Sequence, residues 1–215
     1  MSSASREEIC RVGASLFARG YVHATAGNIS VRTDEGYIIT PTDACLGNLD
    51  PAKLAVVNAA GEQLSGDKAS KTLTLHRKIY DSDPDARCVI HTHSTHLVAL
   101  TLSGVWSQDD ILPPITPYYV MKVGHVPLIP YHRPGDPAVG VLVAARISAM
   151  RHKGTPIRAV MLDRLGPNVW HTSPANASAV LEELEETARL YVLGHPQALS
   201  EAQLEELRSH FGAHW

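Results

Sequence analysis

Cys88-Val89-Ile90-His91-Thr92-His93-Ser94-Thr95-His96-Leu97 sets three histidines within six positions, directly behind a short apolar run. The run reads as a strand over 87–91, and Ser94 opens a helix that continues to Leu102. In an extended chain, residues two apart share a side, so His91 and His93 project together from the strand end. His96 falls in the first turn of the helix and points elsewhere. Two imidazoles on one side, about two strand rises apart, can reach a single zinc ion. Two ligands are fewer than a zinc site needs, so spacing alone leaves both a metal pair and ordinary strand-end histidines open.

Working outward, Ser5-Arg6-Glu7-Glu8 has the form of a capping box, and Ile9, Val12, Leu16 and Phe17 follow at helical spacing up to Gly20. Gly36 to Thr40 is a β-branched run ended by Pro41. Residues 54–58 and 62–64 read as a hairpin, and 70–80 as a helix. The proline-rich stretch 112–134 should be extended and strand-like. Asp136-Pro137 starts a helix reaching Met150, then 159–162 and 168–170 read as strands around Gly166-Pro167. Ser173-Pro174 opens the longest apolar stripe, through Ala177, Leu181, Leu184 and Tyr191 to Gly194. A last helix spans 200–211. These elements predict one α/β domain over 1–215, with a central mixed, partly antiparallel sheet covered by helices and a C-terminal helical tail at about 198–215. The acidic run 182–186 reads as a solvated helix face.

Composition narrows the function. The 215 residues are 44% hydrophobic and 19% charged with a net charge of -3, which suits a soluble globular protein with one core. Lys and Arg are scattered, so neither a nucleic-acid nor an anionic membrane surface is indicated. No apolar run reaches membrane-spanning length, and the first residues lack a signal-peptide centre. Cys10, Cys45 and Cys88 form neither a disulfide framework nor a CxxC site, which points to a reducing cytoplasm. Twelve histidines are many for this length.

The ordered set Thr25-Ala26-Gly27-Asn28-Ile29-Ser30-Val31-Arg32, Ile39-Thr40-Pro41-Thr42, Ser65-Gly66-Asp67-Lys68-Ala69-Ser70-Lys71 and His91-Thr92-His93, continuing through Tyr118 and Gly166-Pro167 into 181–191, resembles the class II aldolase/adducin family. Within it, 41–47, 65–68, 91–95 and 130–136 resemble the branch that decarboxylates 3-oxo-tetronate 4-phosphate. The resemblance implies a class II aldolase-like fold and a homotetramer with sites at subunit interfaces. It also implies one divalent metal ion, zinc first and manganese second, and a small phosphorylated sugar-acid substrate. It assigns the phosphate to Gly27, Asn28, Thr42, Asp43, Ser70 and Lys71, and the metal to His91 and His93. The chemistry agrees: Gly27 permits close backbone approach, Asn28 and Thr42 donate hydrogen bonds, and Ser70 stands where a helix begins, with Lys71 adding charge. Singly, each of these is also an ordinary turn, strand end or cap.

Two positions depart from the family. Its third zinc histidine comes from an Asn-His-Gly segment, which here is Asp163-Arg164-Leu165-Gly166-Pro167, so Leu165 stands at the ligand position. If the chain is extended there, Asp163 lies on the same side and offers a carboxylate as replacement; His125 and His171 are weaker candidates. The family's catalytic Glu falls on Thr72. Aldol cleavage needs a base for the departing hydroxyl, whereas a 3-oxo acid leaves as carbon dioxide without one. The expected reaction is therefore metal-dependent decarboxylation to dihydroxyacetone phosphate and CO2 through a metal-bound enediolate, with Tyr118 as the catalytic proton donor. Arg133 is a candidate anion clamp, and His76 shares a helix face with Thr72. An aldolase or epimerase on a sugar phosphate, and a non-catalytic adducin-like binding module, stand as alternatives.

Overall fold

The computed structural model describes residues 3–215; Met1 and Ser2, the start of the expected domain, lie outside the described residues. Helix α1 (Ser3–Ala18) already includes Ser5, so the expected capping box lies inside the helix. The side-chain bond formed there runs from Ser3 Oγ to Glu7 Oε1 at 2.6 Å. Gly20, at φ 75°, closes the helix end.

The strands are β1 (Asn28–Thr33), β2 (Gly36–Ile39), β3 (Ala55–Asn58), β4 (Gln63–Ser65), β5 (Cys88–His91), β6 (Leu128–Ile129), β7 (Ala159–Leu162) and β8 (Gly166–His171). They form one eight-stranded sheet in the order β4-β3-β2-β1-β5-β8-β7-β6. Neighbours are antiparallel except β6 with β7, which makes the sheet mixed as expected. The central strands are buried on both sides, and their alternate residues feed two cores. On β5, Cys88 and Ile90 join Ile9, Leu16 and Leu181 under α1, α3 (Thr95–Ser103) and α5 (Pro174–Gly194). Val89 joins Ile79, Val143 and Trp170 under α2 (Leu73–Ser82) and α4 (Pro137–His152). Helix α6 (Glu201–Phe211) starts at a capping box between Ser200 and Gln203 and lays Leu204 and Leu207 on Val120. Among the described residues, no helix is long and apolar enough to cross a membrane.

The stretch 112–134 is not extended throughout. Its strand content is β6 alone, and Tyr119–Val123 form a π-helical turn. The prolines break off at Pro117 and resume at Pro127, so the residues between keep every backbone donor. The Thr116 hydroxyl accepts the Tyr119 N–H at 3.1 Å, and Gly124 at φ 76° ends the turn.

Register places the site. His91 is paired with Asn28 on β1 and Asn168 on β8, at the middle of the sheet. Two residues from Val89, it faces the α2/α4 side. Helix α2 starts later than the sequence suggests: Thr72 is its N-cap, and Ser70 and Lys71 lie in the turn before it.

Candidate active site

His91 is 5% exposed, and its Nδ1 lies 2.9 Å from the Pro167 carbonyl. A carbonyl only accepts, so Nδ1 carries the proton and Nε2 keeps its lone pair. The His93 ring stands 5.0 Å from that of His91, at 69°. Burial, then the neighbouring His93, pushes His91 down to about 4. Burial, then His23, lowers His93 as well. Both rings are neutral at pH 7, the form that ligates metals. With metal–nitrogen bonds of about 2.0–2.1 Å, two imidazoles on one tetrahedral ion have centroids about 5 Å apart. The pair therefore fits a divalent ion. Gly166 makes this arrangement possible, because at φ 139° a Cβ would collide with the Thr92 carbonyl oxygen. Only glycine lets β8 lie against the His91-Thr92-His93 backbone.

The loops expected to hold phosphate meet at the same end of the sheet, and Thr40 ties them together. Its hydroxyl accepts the Ile29 N–H at 3.2 Å, and its carbonyl accepts the Ser70 N–H at 3.3 Å. Pro41 bridges Ala69, and the Thr42 N–H donates to Lys68 O at 2.8 Å. Gly27, at φ 84°, lies so close to β5 that a Cβ would meet His91 O at 2.8 Å. The buried Asn28 Oδ1 has no hydrogen-bond partner among the described residues. Lys71 is exposed. Asp43 is exposed in the left-handed conformation at φ 57°. Its carboxylate would repel a phosphate, so its backbone amide is what it has to offer. The Thr72 hydroxyl is 2.7 Å from that of Ser70, which puts a short hydroxyl pair where the family carries its Glu.

Asp163 does not complete the metal set. Among the described residues, no three of His, Cys, Asp and Glu form a group able to hold a metal. The same-side expectation required an extended chain, but Asp163-Arg164-Leu165 is a turn closed by Leu165 N–H to Leu162 O at 3.1 Å. Arg164 at φ 61° rotates the chain between the two positions. Leu165, partly buried, packs against the α2/α4 core. His125 pairs with Asp110 at 2.8 Å, and His171 bonds Arg158 and Thr172. The histidine that does approach the pair went unnoticed in the sequence: His23, whose ring lies 6.3 Å from His93 at 72°. Its one signal is its place in the loop leading to Gly27-Asn28. Asn168 was also missed; it is 1% exposed beside His91, and both its side-chain polar atoms lack a partner among the described residues.

Tyr118 is 61% exposed, and its hydroxyl has no hydrogen-bond partner among the described residues. Tyr119 is fully buried against Trp215 instead. Arg133 is exposed and pairs loosely with Asp136 at 3.8 Å. His96 points away from the pair, to Glu185. Glu185 corrects the reading of the acidic run as solvated: it is 3% exposed and accepts the His96 and Leu97 N–H groups at 2.9 and 3.1 Å. It thereby caps α3, because the Ser94 side chain makes no capping bond.

The sheet brings the paired histidines to the same end as the loops expected to hold phosphate, in a mixed α/β fold. Residues 7–192 match the Class II Aldolase and Adducin N-terminal domain, and the chain belongs to that family. The family is generally dependent on a divalent metal. The 3-oxo-tetronate 4-phosphate decarboxylase of Cupriavidus necator is 58% identical over 217 residues, covering 98% of this chain and 97% of that one. Among solved structures, Escherichia coli YgbL superposes with a TM-score of 0.85 at 40% identity, covering 96% of this chain and 98% of the other. The L-fuculose-1-phosphate aldolase of Thermus thermophilus gives 0.75 at 25% identity, covering 92% and 100%.

Proposed function

We propose that the protein is a metal-dependent carboxy-lyase that converts 3-oxo-tetronate 4-phosphate to dihydroxyacetone phosphate and CO2. One observation favours decarboxylation over aldol cleavage. No carboxylate joins His91 and His93 in a metal-competent group among the described residues, and Thr72 stands at the position of the family's Glu. An aldolase without that base cannot deprotonate the departing hydroxyl, whereas a 3-oxo acid releases CO2 with no proton to remove. The near-full-length likeness to the Cupriavidus necator decarboxylase supports the same substrate.

His91 and His93 hold the ion, zinc in first place and manganese in second. Bound there, it supplies Lewis-acid stabilisation of the oxygen charge that develops as the carbon–carbon bond breaks. Gly27, Asn28, Thr42, Ser70 and Lys71, with the Asp43 amide, hold the phosphate and fix the substrate's far end. The C1–C2 electron pair becomes the enediolate of dihydroxyacetone phosphate, and C2 then takes one proton. Tyr118 donates it across a subunit boundary in a homotetramer, consistent with an exposed hydroxyl that has no partner among the described residues. The three free cysteines fit a cytoplasmic setting.

Incubation of the metal-loaded protein with 3-oxo-tetronate 4-phosphate tests the reading. Equimolar CO2 and dihydroxyacetone phosphate are expected. Aldehyde release from sugar phosphates without CO2 would make it an aldolase. No turnover together with no stoichiometric metal would make it a binding module.

A further inference from the structure

We propose that His23 is the third ligand of the metal centre, in place of the histidine that Leu165 removes. The proposal rests on the assignment of His91 and His93 as metal ligands. A catalytic zinc site uses three protein ligands and keeps one position open. Leu165 packs against the α2/α4 core, and the turn at Arg164 breaks the extended path that would set Asp163 on its side.

His23 approaches from the opposite loop. Its ring centroid is 6.3 Å from that of His93, whereas the His91–His93 pair already has the 5.0 Å spacing of a shared ion. As the rings stand, the three do not form a group able to hold a metal, and His23 has to turn to bring its ring more than 1 Å closer to that of His93. No hydrogen bond holds either ring in place. His23 is exposed, and neither His23 nor His93 makes a side-chain hydrogen bond among the described residues. The loop itself stays fixed. Val22 before it is 3% exposed, and the His23 carbonyl accepts the Ala26 N–H at 3.0 Å. Ala24 between them sits at φ 48°, a conformation that an alanine keeps only when its surroundings impose it. A backbone held on both sides, carrying an imidazole beside a histidine pair, is how a ligand is presented. Three imidazoles would leave the fourth position for a substrate oxygen.

The test is metal affinity and ligand count, by chelator competition and X-ray absorption on the zinc protein and by the visible spectrum of the cobalt protein. Three imidazoles are expected in the parent and two in His23→Ala, with at least a tenfold loss of affinity and a changed cobalt spectrum. His23→Cys, which supplies another zinc ligand, should restore most of the affinity. His152→Ala, on the far end of α4, should change nothing. If His23→Ala binds zinc like the parent while His93→Ala does not, the proposal is wrong and the histidine pair stands. Parent-like zinc affinity in His93→Ala would instead remove the pair itself. Weaker binding of inorganic phosphate by His23→Ala at unchanged zinc affinity would place His23 on the substrate and overturn the proposal.

Discussion

His76 shows how one buried ring shapes the protein's response to acid. It is fully buried, with Nδ1 2.7 Å from Ser30 Oγ, which in turn lies 2.7 Å from the Tyr80 hydroxyl. Burial, with His91 as a lesser cause, lowers it from the usual 6.5 to about 3. The unfolded chain therefore takes up a proton that the folded one refuses. His76 contributes stability that is fully present above pH 6.5 and is lost as pH falls towards 3, by on the order of a few kcal/mol. Urea midpoints measured from pH 7 to 4 should fall, and His76→Gln should flatten that slope; an equally steep slope in the variant would move the cause elsewhere. At the same scale, Gly166→Ala should cost at least about 3 kcal/mol, because its Cβ has no room beside the Thr92 carbonyl. A thermal shift of a degree or less would contradict that. The histidine pair was legible from alternation alone, since strand geometry fixes which side chains share a side. The role of Leu165 was not, because it depends on a left-handed turn at Arg164 that propensity does not announce.

Among the elements, α3 depends on a residue from elsewhere in the chain. Both Glu185 oxygens accept its first N–H groups, and Oε1 also pairs with the His96 ring at 2.8 Å. Glu185→Ala leaves these donors unsatisfied in a nearly dry setting and should cost about 2–4 kcal/mol. Hydrogen exchange at Leu97 should accelerate; unchanged protection would show that α3 needs no such cap. The sequence presented Glu185 as one acid in a run of four, although Leu181 four residues before it and Ala188 three after put it beside the apolar stripe. What it holds there, the start of α3, is visible only once α5 packs on α3. The helices with caps written into their own sequence were legible: Ser173-Pro174 for α5 and Asp136-Pro137 for α4 both start where expected. The π-helical turn at Tyr119–Val123 was not, since it forms in a gap between prolines that reads as extended.

For the whole molecule, the order of the eight strands brings distant loops to one end, and no single segment of sequence contains that proximity. The family pattern made it readable in advance, whereas local patterns gave only the parts. If Tyr118 serves a neighbouring subunit, mixing His93→Ala with Tyr118→Phe protein should restore activity to about a quarter of the parent's in dissociated and reassembled oligomers, because a quarter of the sites then combine intact halves. Hybrids as inactive as either variant would place both residues in one chain's site. The close approach of Gly27 to the His91 carbonyl bears on selectivity under the proposed function. With phosphate on the Gly27 loop and metal on the His91 strand, backbone contact would keep the gap between the two grips from stretching. The protein would then measure its ligand end to end, and an acid lengthened by one carbon would have to buckle or let go of one anchor.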